Sequence, residues 1–475
     1  MHTTRRILAI GATMVAAGLV LSACSTQPAS TSSTSTSAPV ATSTSASSAP
    51  SSTAASSTAA QPQITLTIGT FNNFGYDKSS ATMQGADLYT KYMALHPNIK
   101  IVPNVAATSD DARAAFNTAI GTGTGAYDIQ AVDVDWMPSI MAQPDKFVDL
   151  KAALAANDYQ PWKTGMATTP DGKILGGGTD IGPEGVCYRA DLLQAAGIPS
   201  DRDSVAKWLG GGDATKATWD TFFAAGKQYV AASGKPFFDS AGAIWAGIVN
   251  QVQYSYVDKD NNIIDPATNT QVKGLYDKLT TAALTDKLSA GQQAWTDGWN
   301  AAFKASDNTS FAVTLCPAWI VNNIKNNAGA DFKGWDIADV YPGIEAGQGG
   351  NWGGSYLVVP AQGKNIEAAK ELVAWLTAPA QQAAVFAAAS NYPSSPTAAK
   401  DPAVADKTDP FLNNAPVGKI FANRAAAVSV VPYKGAAYFD INTKMGDALN
   451  RVDVDKTMTP AQSWDQWVSD VKALS

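Results

Sequence analysis

Apolar residues recur along this chain with two different periods, and the two alternate. Residues 64–68, Ile-Thr-Leu-Thr-Ile, alternate with period two and are rich in β-branched side chains, which predicts a strand. Over residues 82–95 the spacing of Met83, Ala86, Leu88, Tyr89, Tyr92 and Met93 is helical, and His96-Pro97 stops it. A strand at 99–105, a helix at 110–120 closed by Gly121, and a strand at 127–132 follow. This β-α-β-α-β order predicts an α/β domain with a mostly parallel sheet. The theme continues with a helix at 219–232, a strand at 311–314, a helix at 317–326, a strand at 355–359 and a helix at 367–377. The segments 435–449 and 460–474 close the chain as helices, and there is no internal repeat.

The first 62 residues follow neither period. Arg5 and Arg6 precede an uncharged run, residues 7–21, that is short for a membrane span. Leu21-Ser22-Ala23-Cys24 comes next and resembles the lipobox of bacterial lipoproteins, in which small residues admit a peptidase and the cysteine is lipidated. The alternative is an ordinary secretory leader with a cysteine near its end. Residues 25–62 are Ser, Thr, Ala and Pro apart from Gln27, Val40 and Gln61. Such a stretch buries too little apolar surface to offset its ordering entropy, so it reads as a tether. The expectation is a signal peptide over 1–23, a lipid-anchored Cys24, and a spacer that lifts the folded part off the membrane.

Composition narrows the function classes. Loss of the leader removes two arginines and no acid, taking the formal charge from −7 to −9, which disfavours nucleic acid and anionic lipid surfaces. Beyond Cys24 only Cys187 and Cys316 remain. In an oxidising compartment they form a disulfide or stay as two buried thiols; export favours the bond. The folded part has one histidine, His96, in a helix-ending turn. That leaves little for a zinc site or a Ser-His-Asp triad, and ligand binding is expected to need no metal and no cofactor. Gly121-Thr-Gly-Thr-Gly125 ends a helix instead of opening one, so it is no phosphate cradle. Asp258-Lys-Asp260-Asn-Asn262 has calcium-loop residues but lacks the following glycine and the distal glutamate, and reads as a hairpin turn.

Four stretches in this order carry a resemblance: Ala119 to Trp136; Asp171 to Leu193 with Ala196-Gly-Ile-Pro199 and Thr218-Trp-Asp-Thr-Phe222; Cys316-Pro-Ala-Trp319; and Gly353-Gly-Ser-Tyr-Leu-Val-Val-Pro360 leading into Ala368 to Leu376. The chain resembles the carbohydrate class of bacterial extracellular solute-binding proteins, receptors of ABC importers, over nearly all of 63–475. The resemblance implies a two-lobed periplasmic-binding-protein fold, a ligand cleft between the lobes and several interdomain crossovers. Lobe 1 would be 63–179 with 355–397, and lobe 2 would be 180–354 with 398–475. Crossovers would fall near Thr179-Asp180, Gly353-Gly354 and Pro396. It further implies a monomer that hands a sugar or oligosaccharide to membrane permease subunits on the outer face of the cytoplasmic membrane.

A sugar offers apolar C–H faces and a hydroxyl rim, so its site needs aromatic faces and Asp, Asn or Gln at strand ends. The residues so placed are Asn72, Asn73, Asp133, Asp135, Trp136, Asp180, Trp319 and Trp352, with Trp245 and Glu184 as further candidates. Each has a structural alternative: a turn for the asparagines, a cap for the aspartates, core packing for the tryptophans. Two other function classes share parts of this pattern. A lipid-anchored glycosidase would need paired carboxylates, yet Glu184, Glu345, Glu367 and Glu371 are the only glutamates. A carbohydrate-binding adhesin would share the tether and the aromatics.

Overall fold

The computed structural model describes residues 62–71, 74–80 and 84–474. The leader, Cys24, the tether and the predicted site residues Asn72 and Asn73 lie outside the described residues. Two separate sheets organise the remainder. In the first, β1 (Ile64–Phe71) pairs in parallel with β2 (Ile99–Ala106) and β3 (Ile129–Asp133). The helices Leu88–Leu95 and Ser109–Thr122 make the crossovers. The second of these starts on Thr108, whose side chain accepts from the Asp111 N–H, and ends on Gly123 at φ 74°, a left-handed position suited to glycine.

The second sheet is built from β6 (Glu184–Arg189), β7 (Val313–Pro317) and β8 (Trp335–Ala338) in the order β7-β6-β8. Here the expectation of mostly parallel pairing fails, because β6 is antiparallel to both neighbours. The reason is topological. β7 and β8 run the same way, joined by the helix Ile320–Ala328, and β6 sits between them instead of beside them. The first sheet is also mixed: β9 (Ser355–Val358), which follows the second sheet in the chain, lies antiparallel to β3 and to the short β4 (Gly177–Gly178). Cys187 and Cys316, on adjacent strands β6 and β7, form a disulfide with Cα atoms 5.3 Å apart. Asp258 accepts from the N–H groups of Asp260 and Asn262, making the expected hairpin turn.

Each sheet has its own core. Leu66, Ile68, Ile129, Val132, Leu357 and Leu372 belong to the first. Val186, Trp219, Phe222, Leu315 and, from the last two helices, Ile441 and Trp467 belong to the second. A third apolar cluster joins Ile324, Trp335 and Cys316 to Phe386, Tyr392 and Phe421. Three stretches of chain meet between the sheets. β5 (Asp180–Ile181) pairs with β10 (Tyr392–Pro393). Asp180 Oδ1 accepts from the Thr179 hydroxyl at 2.6 Å and from the Ser355 N–H at 3.0 Å. Gln382 ties the Gly178 carbonyl to Ser394 and Ser395.

Candidate functional site

The end of β3 opens the site. Asp133 caps a single 3-10 turn, Val134–Trp136, by accepting from the Asp135 N–H at 2.9 Å, and the Val134 N–H donates to the Gly354 carbonyl. Asp135 is thereby turned outward, where it pairs with Lys434 from the last part of the chain. Trp136 is turned back, 2% exposed, with its ring 5.0 Å from that of Phe71. Trp136 therefore packs into the first core and is corrected from ligand contact to core residue.

Charges gather around this turn. Burial, then the adjacent Asp135, pushes the Asp133 carboxyl up to about 7, opposed by Lys434 and Lys163. Lys163, on the short helix Pro161–Met166, is fully buried, with Nζ 3.9 Å above the Tyr356 ring. Burial lowers it to about 8, against the pull of Asp180 and Asp133. Its Nζ has no hydrogen-bond partner among the described residues. Burial raises Asp180, and its hydrogen bonds tie it to Thr179 and Ser355, so it serves first to join the crossing segments.

A cavity open to solvent lies beside these charges, lined by Val134, Trp162, Met166, Asn250, Asn351 and residues of the irregular segment 428–434. Asn250 follows the helix Ala241–Val249, which Ser240 caps. Its Nδ2 bonds the Ala246 carbonyl, and its buried Oδ1 has no hydrogen-bond partner among the described residues. Val428, Val430, Val431 and Pro432 supply apolar surface, and Lys434 closes the edge. Next to Asn351, the loop carries Trp352 between two contacts. Its N–H donates to the Gly182 carbonyl at 2.8 Å, and its carbonyl accepts from Trp319 Nε1 at 2.9 Å. The approach is close enough that a Cβ on Gly182 would meet the Trp352 oxygen at 1.8 Å. The half-buried rings of Trp319 and Trp352 meet edge to face at 5.3 Å.

The sequence-predicted residues thus divide. Asp133, Asp135 and Asp180 join one ionic cluster, and Trp319 and Trp352 form one aromatic pair beside Asn351. Trp245 belongs to neither. It sits inside the helix Ala241–Val249, 2% exposed, with Nε1 bonded to Tyr256 Oη at 2.9 Å. A ring enclosed in this way has no free face, so Trp245 is corrected to a core residue. Glu184 is buried at the start of β6, accepts from Tyr341 Oη at 2.8 Å, and is pushed by burial to about 8. Sequence reasoning missed Trp162, Met166, Asn250, Lys163, Lys434 and the 428–434 segment. Only the last left a readable signal, an apolar run at Val428, Val430 and Val431 with no helical spacing.

Comparison with known proteins places this geometry. A solved structure of an extracellular solute-binding protein family 1 member is 40% identical, with TM-score 0.74, over 86% of this chain and 99% of its own. At 16% identity and TM-score 0.69, the fold also matches an ABC-transporter-associated binding protein from B. animalis subsp. lactis, solved with β-1,6-galactobiose; 85% of this chain and 96% of that one are covered. The arabinooligosaccharide-binding protein of Bacillus subtilis is 24% identical over 248 residues, 51% of this chain and 50% of that protein. The chain spans about half the length of the curated relatives it matches. Residues 87–411 match the family description itself, and with that two-thirds of its length the chain belongs to the bacterial extracellular solute-binding proteins.

Proposed function

We propose that this protein is a lipid-anchored receptor that captures a sugar or oligosaccharide between its lobes and delivers it to the permease of an ABC importer. The observation that carries the reading is the cavity beside Asn351, where segments from both sheets meet. It combines an apolar wall, the unpaired Asn250 carbonyl oxygen and the nearby Trp319–Trp352 pair. C–H faces of a sugar would lie on the rings, and its hydroxyls would bond Asn250, Asn351 and Asp135. Relatives named for arabinooligosaccharide binding, and structures solved with β-1,6-galactobiose and lacto-N-biose, support the ligand class. The proposed lobes are 63–179 with 355–397 and 180–354 with 398–475, moving about the stretches joined by Asp180 and Gln382.

An enzymatic role is not favoured. Asp133 and Asp135 stand two residues apart on one turn, and Lys434 engages Asp135, so they do not flank a substrate bond from opposite sides. The test is a thermal-shift screen of mono- and oligosaccharides against the folded part, followed by calorimetric titration. Stabilisation by a saccharide, with no release of reducing ends on long incubation, is expected; hydrolysis, or no binding of any saccharide, would overturn the reading. For the anchor, Cys24→Ser is expected to release folded protein from membranes, and a variant that stays membrane-bound after cleavage would refute lipid attachment.

A further inference from the structure

Trp295 lies outside every role given so far. It is 56% exposed, the most exposed tryptophan among the large hydrophobic residues on the described surface. Its φ is 72°, in the left-handed region that a bulky side chain rarely occupies. Such outliers persist only where the surroundings enforce them, and they concentrate at functional sites. The enforcement is visible. Thr296, the next residue, caps the helix Asp297–Ala302 by accepting from the Trp299 N–H. The buried Trp299, fixed by its Nε1 bond to Asp239 at 3.0 Å, lies 5.1 Å from the Trp295 ring. Trp295 also lies nearly parallel to Trp319, with planes 20° and centroids 5.8 Å apart. Capping a short helix does not require a tryptophan in this conformation with more than half its surface in water.

Trp295, Trp319 and Trp352 therefore form one run of rings. It starts at Asn351 beside the cavity and ends on an exposed face. Resting on the sugar-binding reading above, we infer that Trp295 is an outer stacking platform for a sugar unit beyond those held in the cavity, and that it sets a preference for longer oligosaccharides. The chemistry fits. An exposed ring face held rigidly by two other rings accepts a C–H face without ordering cost and without discriminating among hydroxyl patterns. The inner polar groups select the sugar, and Trp295 selects chain length.

The test is calorimetric titration of the wild-type protein, Trp295→Ala and Trp295→Gly with linear arabino-, galacto- and malto-oligosaccharides from di- to hexasaccharide. In whichever series binds, the wild type is expected to gain affinity with length up to the unit that reaches Trp295. Both variants are expected to lose about tenfold for the longer members and to leave the shortest binding member unchanged. Because the ring is exposed and glycine suits the left-handed backbone, Trp295→Gly is expected to melt no lower than wild type. Trp295→Phe is expected to retain most of the length dependence. A loss equal at all lengths, or none at any length, would overturn the inference while leaving the receptor reading intact. Absence of binding by the wild type across all series would overturn both.

Discussion

Replacing Lys434 with methionine removes one charge from the cleft and keeps the stem that fills its place. The side chain of Lys434 is 4% exposed and that of its partner Asp135 is 26% exposed. Breaking a buried pair from one side leaves the other charge desolvated and costs about 3–5 kcal/mol. With a quarter of Asp135 in water, screening reduces the expectation to about 2–3 kcal/mol. Asp135 also faces Asp133, which Lys434 helps keep ionised, so the variant drives Asp133 further toward its neutral form. Lys434 Nζ lies 5.0 Å above the Tyr438 ring as well, so the single variant loses more than the pair. A double-mutant cycle with Asp135→Asn separates the two contributions. Measured by urea unfolding at neutral pH, the double variant is expected to recover at least about 1 kcal/mol relative to the sum of the single variants. Single losses below about 0.5 kcal/mol that simply add would show that the pair behaves as a solvent-exposed one and would refute the argument.

Three further perturbations probe residues that differ in burial. Glu184 carries a carboxyl pushed from an ordinary 4.5 to about 8. The folded state holds a proton that the unfolded state has already lost, so the contribution of Glu184 to stability is full below about pH 4.5 and is lost as pH rises towards about 8. Glu184→Gln mimics the protonated form, and its stability is expected to exceed that of wild type by a margin growing across this window, up to on the order of 4–5 kcal/mol; parallel curves in urea titrations at several pH values would refute this. Trp245→Ala and Trp352→Ala should fail in opposite ways. The first is expected to lose about 3–5 kcal/mol of stability by cavity formation, the second to lose about ten- to a hundredfold in saccharide affinity with little change in melting temperature. Melting curves and calorimetry on the same samples check both, and a large drop in melting temperature with unchanged affinity for Trp352→Ala would make that residue structural.

The first three strands and their two helices were legible because each has a clear stop, although the helix expected at 82–95 begins only at Leu88 and β4 was not foreseen. His96-Pro97 ends the first helix, and the glycines from Gly121 to Gly125 end the second, which runs to Thr122 and caps on Gly123. The second sheet was harder to read. All residues of β6, β7 and β8 are buried, so no alternation marks their faces. The strand expected at 311–314 lies at Val313–Pro317, and the helix expected at 317–326 begins only at Ile320. Strand direction is not a local property either. Whether β6 runs with or against β7 depends on a connection of more than a hundred residues, which no window of sequence reports.

The site shows where local reasoning succeeds and where it stops. Trp352 stands out because glycines surround it, leaving a large ring without a core stripe to join, and Trp319 because it falls at a helix start. Trp295, set in the polar turn Gln292-Gln293-Ala294-Trp295-Thr296-Asp297, was not singled out by that argument. The argument fails for Trp245, because Ile244, Ile248 and Val249 around it are apolar too, and the ring simply joins them in the core. It fails for Trp136 because its direction was decided three residues upstream, by the cap that Asp133 places on the turn. The lysines were invisible for a deeper reason. A lysine in sequence reads as surface, and burying one is tolerable only where distant carboxylates meet it. Lys163 is held near Asp180 and Asp133, and Lys434 near Asp135. With Lys434 engaged by Asp135, the cavity beside them presents amides, aliphatic surface and nearby rings. That balance of surfaces suits a neutral, hydroxyl-rich ligand better than an anion, since an anion drawn to Lys434 would have to break the Lys434–Asp135 pair already formed in low dielectric.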